Sequence, residues 1–326
     1  MSTLPRYAYF KGNLVPYADA KIGVLTHALN YGTAVFGGIR GYWNAEEEEL
    51  FVFRPDDHFR RFLDSAKLLN MAFDTTPLEL LNAVRTLLQT EGLKQDMYVR
   101  PLAFYEDEGI GVRLHDLTPA ISIVALPYGR YLDNEEGVRA TISSWRRVND
   151  NTIPPRGKIA GSYVNSALAK TDALRAGYDE AIVLNQTGHV CEGSAENIFV
   201  VRHGTVVTPP FTESILEGIT RRTVIELMRD ALGLTVVERP IDRTELYLAE
   251  EAFFTGTGVQ IAAITSVDKR AIGTGKIGPV CSRLRALYFD VVRGRNKRYR
   301  SWCLPVYKSA PAEAELGIAA TSTSVE

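Results

Sequence analysis

The sequence predicts a mixed α+β (α/β) chain built in two blocks, and three observations carry that reading. Strand-like and helix-like segments alternate through the first half, a turn-rich stretch interrupts them at 127–134, and a second mixed set begins near Val138. With 326 residues, 45% of them apolar and 23% charged, the chain is long enough to bury more than one core.

In the first block, Thr76-Pro77-Leu78-Glu79 is a capping box with proline at the first helical position. Leu81, Val84, Leu87 and Leu88 follow at helical spacing, and Gly92 closes that helix. His58 to Lys67 reads as a basic amphipathic helix; its arginines belong by default on the solvated face, although one can turn inward to a phosphate. Glu46 to Glu49 reads as a solvated loop, and Val99 to Phe104 and Ile121 to Leu126 read as strands. Pro127 to Asn134 is the best linker.

In the second block, Tyr163 to Ala176 is a helix stopped by Gly177, and Ala181 to Leu184 and Ile198 to Val201 are strands. His203-Gly204 turns the chain into a further strand, Thr205 to Thr208. Thr220 to Leu232 is a helix ended by Gly233, and Val280, Leu284, Leu287 and Val291 share one face of a late helix. The expected division is a small domain at 1–126, a linker at 127–136, a large domain at 137–308 and a weakly anchored tail at 309–326.

Composition removes several functions. Lys and Arg number 37 against 39 Asp and Glu, a formal charge of −2, so no nucleic-acid footprint is visible. The three cysteines make neither a disulfide framework nor a CxxC site, and the five histidines form no spaced metal pair with a cysteine. The amino terminus, MSTLPRYAYF, lacks a basic segment followed by a long apolar one, and no apolar run approaches membrane-spanning length. A reducing cytoplasm is the expected compartment.

The most informative stretch is Cys191-Glu192-Gly193-Ser194-Ala195-Glu196-Asn197, which sets two carboxylates among small residues ahead of an apolar strand. Upstream, Lys158 sits between Gly157 and Gly161. Small residues let a backbone approach a flat ligand, a lysine amine can form a Schiff base, and a buried carboxylate can hold a proton on a pyridine nitrogen. These are the parts of a pyridoxal phosphate site, although two solvated acids and a surface lysine fit the same local letters. Glu217-Gly218-Ile219-Thr220 opens a helix, where free N–H groups favour an anion; a plain helix start reads the same way. Thr255-Gly256-Thr257-Gly258 can wrap phosphate or carboxylate oxygens, or simply turn the chain after a strand. Gly273 to Gly278 matches G-x-G-x-x-G, but Val267-Asp268-Lys269-Arg270-Ala271 before it is too polar for the buried strand of a dinucleotide site, so a surface hairpin is expected.

Taken in order, these pieces resemble the fold-type IV pyridoxal phosphate aminotransferases, whose fold is that of D-amino acid aminotransferase, and within them the branched-chain amino acid aminotransferases. The resemblance runs from about Tyr9 to about Trp302. It includes His27-Ala28-Leu29-Asn30-Tyr31-Gly32, Phe36-Gly37-Gly38-Ile39-Arg40, the Arg61 helix, Tyr98-Val99-Arg100-Pro101 and Lys158 to Tyr163. It continues through the Glu192 segment, Gly218-Ile219-Thr220 and Gly256-Thr257.

The resemblance implies pyridoxal 5′-phosphate as cofactor. It makes Lys158 the Schiff-base lysine and proton shuttle, Glu192 the partner of the pyridine nitrogen, and Tyr163 the partner of the phenolic oxygen. Arg61, Ile219, Thr220 and Thr257 then hold the phosphate with backbone help from Gly218 and Gly256, and Leu216 packs on the ring. Glu196 is read as structural. On the substrate side, the resemblance implies that Tyr31, Phe36, Tyr98, Tyr128 and Tyr131 line an apolar slot beside Gly38. Arg100 meets a distal carboxylate, Tyr98 with the N–H groups of Thr257 and Gly258 takes the α-carboxylate, and Ile110 and Val112 reach in from a neighbouring subunit. Two departures stand out: Gly37 replaces the family's usual acid, and Tyr128 stands where related enzymes carry tryptophan.

The implied activity is ping-pong transamination of branched-chain L-amino acids with 2-oxoglutarate by a homo-oligomeric, dimer-based enzyme. The alternatives are a D-amino acid or (R)-amine transaminase of the same fold, a lyase of the aminodeoxychorismate type, and a nucleotide-binding oxidoreductase built on Gly273 to Gly278.

Overall fold

The computed structural model describes residues 4–129 and 136–308. Most of the expected linker, with Tyr131, and the expected tail lie outside the described residues.

The capping box forms. Thr76 Oγ1 accepts the Glu79 N–H at 3.3 Å, the Glu79 carboxylate accepts the Thr76 N–H at 2.7 Å, and the helix Pro77–Glu91 ends on left-handed Gly92. The two strands predicted beside it run longer than read, Met97–Tyr105 and Pro119–Pro127, and pair antiparallel along their full length. They centre an eight-stranded sheet ordered Cys303–Pro305, Glu49–Phe53, Ile39–Asn44, Met97–Tyr105, Pro119–Pro127, Tyr7–Phe10, Asn13–Pro16, with Ala34–Phe36 also paired to Met97–Tyr105. The chain therefore ends its described course by returning to the first sheet.

That return explains a departure from the sequence reading. Glu46 to Glu48 stay in a turn, but Glu49 opens a strand and is buried. Its carboxylate accepts the N–H groups of Val306, Tyr307 and Lys308 at 3.0, 2.8 and 2.8 Å. A run of four glutamates looks solvated because the N–H partners of the last one come from the far end of the chain.

The second sheet has nine strands and is mixed. Its order is Val190–Gly193, Glu180–Leu184, Val138–Arg146, Gln260–Val267, Glu251–Gly256, Asn197–Arg202, Thr205–Thr208, Val236–Glu238, with Arg270–Ala271 paired to Gln260–Val267. Val190–Gly193 also pairs with Asn197–Arg202, so six of these strands close into a ring. His203 and Gly204 turn with positive φ, as the hairpin reading requires, and Gly177 and Gly233 follow the helices Tyr163–Arg175 and Ile219–Asp230. Leu284 and Val291 are fully buried on the helix Pro279–Val292.

A shared core joins the sheets. Tyr42, Phe51 and Phe53 of the first pack with Phe199, Phe253 and Tyr288 of the second block, and the Phe199 and Phe253 rings stack at 5.2 Å. Burial of aromatic rings of this size dominates the energetics of such a seam.

The glycine-rich loop at 273–278 is not itself the expected hairpin: the hairpin lies just before it, where Val267 pairs with Arg270, and the loop is a turn ahead of the helix Pro279–Val292. The Glu251 carboxylate accepts the Val280 and Cys281 N–H groups, both at 2.9 Å. The helix N-terminus that a nucleotide phosphate needs is thus taken by the protein's own carboxylate.

Candidate active site

The two sheets and the loops between them enclose an open cavity of about 810 Å³. Its wall contains Arg61, Lys158, Tyr163, Glu192, Leu216, Gly218, Ile219, Thr220, Gly256 and Thr257, together with Phe36, Gly38, Tyr98, Arg100, Tyr128 and Gly258.

The lysine corner is built by close backbone packing. Gly161 N–H donates to the Gly32 carbonyl at 3.1 Å, and a Cβ on Gly32, whose φ is +69°, would stand 2.9 Å from the Gly161 Cα. Glycine at both positions lets the His27–Tyr31 helix and the Lys158 loop touch. Ser65 Oγ accepts the Lys158 N–H at 3.1 Å, and the Lys158 carbonyl accepts the Phe36 N–H at 3.0 Å. With its backbone pinned, the Lys158 amine reaches the Tyr163 hydroxyl at 2.5 Å. Burial, helped by the nearby Arg61 and Arg100 cations, lowers the amine from its ordinary 10.5 to about 7. Burial also pushes the Tyr163 phenol up. His58, on the inward face of the Pro55–Leu68 helix, is kept neutral by burial and by Arg61 and Lys158.

The acid corner contains a residue the sequence reading missed. Arg147 Nη2 meets Glu192 Oε1 at 2.9 Å with both side chains buried, while Glu192 Oε2 accepts Asn197 Nδ2 and the Leu216 N–H, each at 3.1 Å. Burial raises the Glu192 carboxyl; Arg147 and the Leu216 N–H oppose that rise. One guanidinium and two N–H donors hold this group as a carboxylate inside the protein. Asn197 also donates to the Leu216 carbonyl at 3.0 Å, which ties the acid to the loop ahead of the Ile219–Asp230 helix. No local pattern marks Arg147 in the sequence: it follows another arginine at a strand end. Glu196 accepts the N–H of its neighbour Ala195 at 3.1 Å. It too is buried in the cavity wall, and burial with the charge of Glu180 pushes it to about 8.

The third corner is suited to an anion. The Ile219–Asp230 helix starts at Gly218 with no side-chain cap and no acid in its first turn. Arg61 Nη1 donates to the Glu217 carbonyl at 3.1 Å, so this arginine does turn inward, whereas Arg60 stays exposed on Asp56 at 2.7 Å. Thr220 adds a hydroxyl in the wall, and the buried Thr255 hydroxyl has no partner among the described residues. Uncapped N–H groups, hydroxyls and a guanidinium suit an anion such as a phosphate, in contrast to the helix start occupied by the Glu251 carboxylate. Lysine, carboxylate and anion corners in one cavity are the donor set that pyridoxal phosphate requires.

The remaining wall is apolar and aromatic. Arg100 Nη2 reaches the Tyr98 hydroxyl at 3.1 Å, its guanidinium lies 4.7 Å from the Phe36 ring centre, and the Tyr98 and Tyr128 rings are 5.0 Å apart. A Cβ on Gly38 would overlap the Tyr98 hydroxyl, and one on Gly37 would stand 2.5 Å from Pro101 Cγ. Gly37 thus leaves Pro101 room that a side chain there would take. Leu102, Val124 and Leu126 extend the apolar wall and were not singled out in the sequence, because alternation along a strand does not tell a cavity from a core. Arg40, buried, donates from Nη1 to the Gly258 carbonyl at 3.0 Å and from Nη2 to the carbonyls of Tyr128 (3.0 Å) and Gly129.

Tyr31, Ile110 and Val112 do not line the cavity of their own chain. The Tyr31 ring lies 4.8 Å from that of His27, and its hydroxyl accepts the Gly111 N–H at 3.0 Å. Ile110 and Val112 are 84% and 77% exposed. Val24 is 79% exposed, two residues before Thr26, which bridges to Glu108. No helix of the described residues is long and apolar enough to cross a membrane.

Comparison with known proteins agrees with this geometry. Residues 35–267 match the family described as Amino-transferase class IV. Over 301 residues, 92% of this chain and 97% of the relative, it is 48% identical to the "Probable branched-chain-amino-acid aminotransferase" of Aquifex aeolicus. The structure of the Thermoproteus uzoniensis branched-chain aminotransferase with norvaline superposes with a TM-score of 0.89 at 44% identity, covering 92% of this chain and 99% of that one. The holo-form branched-chain amino acid aminotransferase of Thermobaculum terrenum, with pyridoxal phosphate, gives 0.90 at 40% identity, covering 94% and 99%. The protein belongs to the class IV aminotransferases.

Proposed function

We propose that this protein is a pyridoxal phosphate-dependent aminotransferase that moves the amino group of branched-chain L-amino acids to 2-oxoglutarate in two half-reactions. The observation that carries the reading is the joining, in one cavity, of a lysine amine lowered to about 7, a buried carboxylate paired with Arg147, and an uncapped helix N-terminus. The Aquifex, Thermoproteus and Thermobaculum relatives bear the branched-chain name. The norvaline complex of the second and the cofactor-bound form of the third support an aliphatic substrate and the cofactor.

Pyridoxal phosphate, when bound, supplies a pyridinium ring that takes up the electron pair released at the substrate α-carbon. Lys158 would hold the cofactor aldehyde, and its freed amine would take up and return the proton at the substrate α-carbon. Glu192 keeps the proton on the ring nitrogen, with Arg147 and Asn197 fixing its orientation. Tyr163 holds the phenolic oxygen. Arg61, Thr220, Thr257 and the N–H groups after Gly218 bind phosphate, with Gly256 allowing close approach and Leu216 packing on the ring. On the substrate side, Tyr98 and the Thr257–Gly258 turn orient the α-carboxylate, and Phe36, Tyr128 and the apolar wall receive the side chain.

Arg100 gives this reading a selective test. Its guanidinium suits the distal carboxylate of glutamate or 2-oxoglutarate, while a leucine side chain offers it nothing. A lost charged hydrogen bond is worth about 1.5–3 kcal/mol, so Arg100→Leu is expected to weaken the 2-oxoglutarate and glutamate half-reactions by about tenfold or more. The leucine half-reaction should change much less. Equal losses in both half-reactions, measured on the purified enzyme, would reject the assignment.

The working unit in this reading is at least a dimer. The exposed apolar residues Ile110, Val112 and Val24, with Tyr31 tied to Gly111, suit contact with a second copy whose site they complete. The two-domain division at 1–126 and 137–308 belongs to the same proposal. In it the returning strand Cys303–Pro305 fastens the large domain to the sheet of the small one.

A further inference from the structure

The mechanism above leaves one hydroxyl unused, at the end of a row of side chains that crosses three strands. In the second sheet Glu192 pairs with Asn197, and Asn197 pairs with Thr255. Directly paired residues of antiparallel strands point to the same face, with Cβ atoms about 4.5–5.5 Å apart. The three side chains therefore stand in one line, and all three residues belong to the cavity wall. The line starts with Glu192 at the acid corner. Asn197, in the middle, abuts the loop that leads to the anion corner: it donates to the Leu216 carbonyl at 3.0 Å, and a Cβ on Gly218 would overlap its Oδ1. Thr255 ends the line, and Gly256 and Thr257 follow it in the chain.

Thr255 is fully buried, and its hydroxyl has no hydrogen-bond partner among the described residues. Thr208 and Thr223, buried to the same degree, behave differently: each donates to a backbone carbonyl at 2.8 Å. The neighbours of Thr255 in the row leave it alone. Asn197 spends both amide hydrogens, on Glu192 Oε2 at 3.1 Å and on the Leu216 carbonyl, and turns its Oδ1 to Gly218. The neighbour on the other side is Ile261, which has no polar side-chain atom. A buried hydroxyl without a partner destabilises a fold, and valine would fill the same space without one. Packing alone therefore does not call for threonine here, and the hydroxyl needs an acceptor from outside the chain.

We infer that Thr255 is a further cofactor-binding residue, whose hydroxyl donates a hydrogen bond to the phosphate group of pyridoxal phosphate. In that compound a single ring carbon separates the nitrogen from the carbon that carries the phosphate arm. One row of side chains can therefore serve both, with Glu192 at the nitrogen and Thr255 at the phosphate. The inference rests on the reading that places the phosphate at the anion corner, between the start of the Ile219–Asp230 helix and the Gly256–Thr257 turn.

The test compares pyridoxal phosphate with pyridoxal, which lacks the phosphate. Binding of each to the cofactor-free protein is followed by absorbance and fluorescence, and the melting temperature of the cofactor-free protein is measured beside it. Thr255→Val is expected to raise the dissociation constant for pyridoxal phosphate by about tenfold, the scale of one charged hydrogen bond, and to leave that for pyridoxal nearly unchanged. Thr255→Ser, which keeps the hydroxyl, should keep the preference for the phosphate compound. Cofactor-free Thr255→Val should melt no lower than the wild-type protein, because it no longer buries an unpaired hydroxyl. Thr255→Ala should show the same selective loss of binding and serves if the valine variant does not fold. Equal weakening of both ligands, or an unchanged preference without the hydroxyl, would overturn the inference, and a lowered melting temperature with it would assign the hydroxyl to the fold. Failure of the underlying reading looks different. A wild-type protein that binds both compounds equally has no phosphate site at the anion corner, and the inference goes with it. A preference removed by Thr220→Val but kept by Thr255→Val rejects the role of Thr255 alone.

Discussion

Lys158→Ala is expected to abolish transamination while leaving the cofactor bound. Among the described residues lining the cavity, Lys158 is the only lysine, with its backbone fixed by Ser65 and Phe36 and its Nζ 2.5 Å from Tyr163, which suits it to hold the aldehyde and carry a proton. Loss of a positioned general base alone costs about 10²–10⁴-fold, and turnover should fall by at least that much. The cofactor should still bind, because the phosphate cradle and Glu192 remain. Borohydride treatment of the native enzyme should attach the cofactor to Lys158, and a tag on Lys170 or Lys67 would refute the assignment. The same lysine sets a pH signature. Because its amine is lowered from 10.5 to about 7, the neutral form predominates above that pH and is lost below it. Covalent capture of the aldehyde by the cofactor-free protein should therefore rise with pH and level off just above 7. An ordinary lysine, with a pKa of about 10.4, would give a rate that keeps climbing.

Glu192→Gln carries the second-largest expected effect. The amide keeps the shape of the side chain and can still accept from Asn197 and the Leu216 N–H, but it brings no charge to the ring nitrogen and leaves Arg147 without its partner. Loss of one preorganised electrostatic group of this kind costs roughly 10²–10³-fold, and the proton transfer at Cα should slow on that scale. Glu196→Gln should cost much less: burial and the charge of Glu180 push that carboxyl upward, toward the neutral form that the amide resembles. Stopped-flow measurement of the leucine half-reaction separates the two variants. Equal losses, or a loss confined to Glu196→Gln, would assign the roles the other way.

What could be read from the sequence was local. The Thr76–Glu79 capping box, the glycine stops at Gly92, Gly177 and Gly233, and the His203-Gly204 turn depend on residues a few positions apart, and each forms. Lys158, Glu192 and the Gly218 helix start were recognisable as chemical types in glycine-rich settings, but their union came only from the order of motifs along the chain. The partners were hidden. Arg147 is distinguished from the arginine before it only by its burial against Glu192, and Glu49 only by the backbone at 306–308. Gln260, Tyr42 and Tyr288, linked in the interior by hydrogen bonds of 3.3 Å between Gln260 Nε2 and the Tyr42 hydroxyl and between the two tyrosine hydroxyls, come from distant parts of the sequence, and no periodic pattern marks them. Tyr31, Ile110 and Val112 illustrate a further limit: one chain leaves them outside its own cavity.

The most direct test of the central claim is a single half-reaction. Cofactor-loaded enzyme is mixed with L-leucine in the absence of any oxo acid, and the visible absorption band and the released acid are followed together. The account predicts that L-leucine discharges the band and yields one equivalent of its 2-oxo acid per site, and that 2-oxoglutarate then restores the band as glutamate appears. Discharge by D-leucine or an (R)-amine, with L-leucine inert, would contradict it.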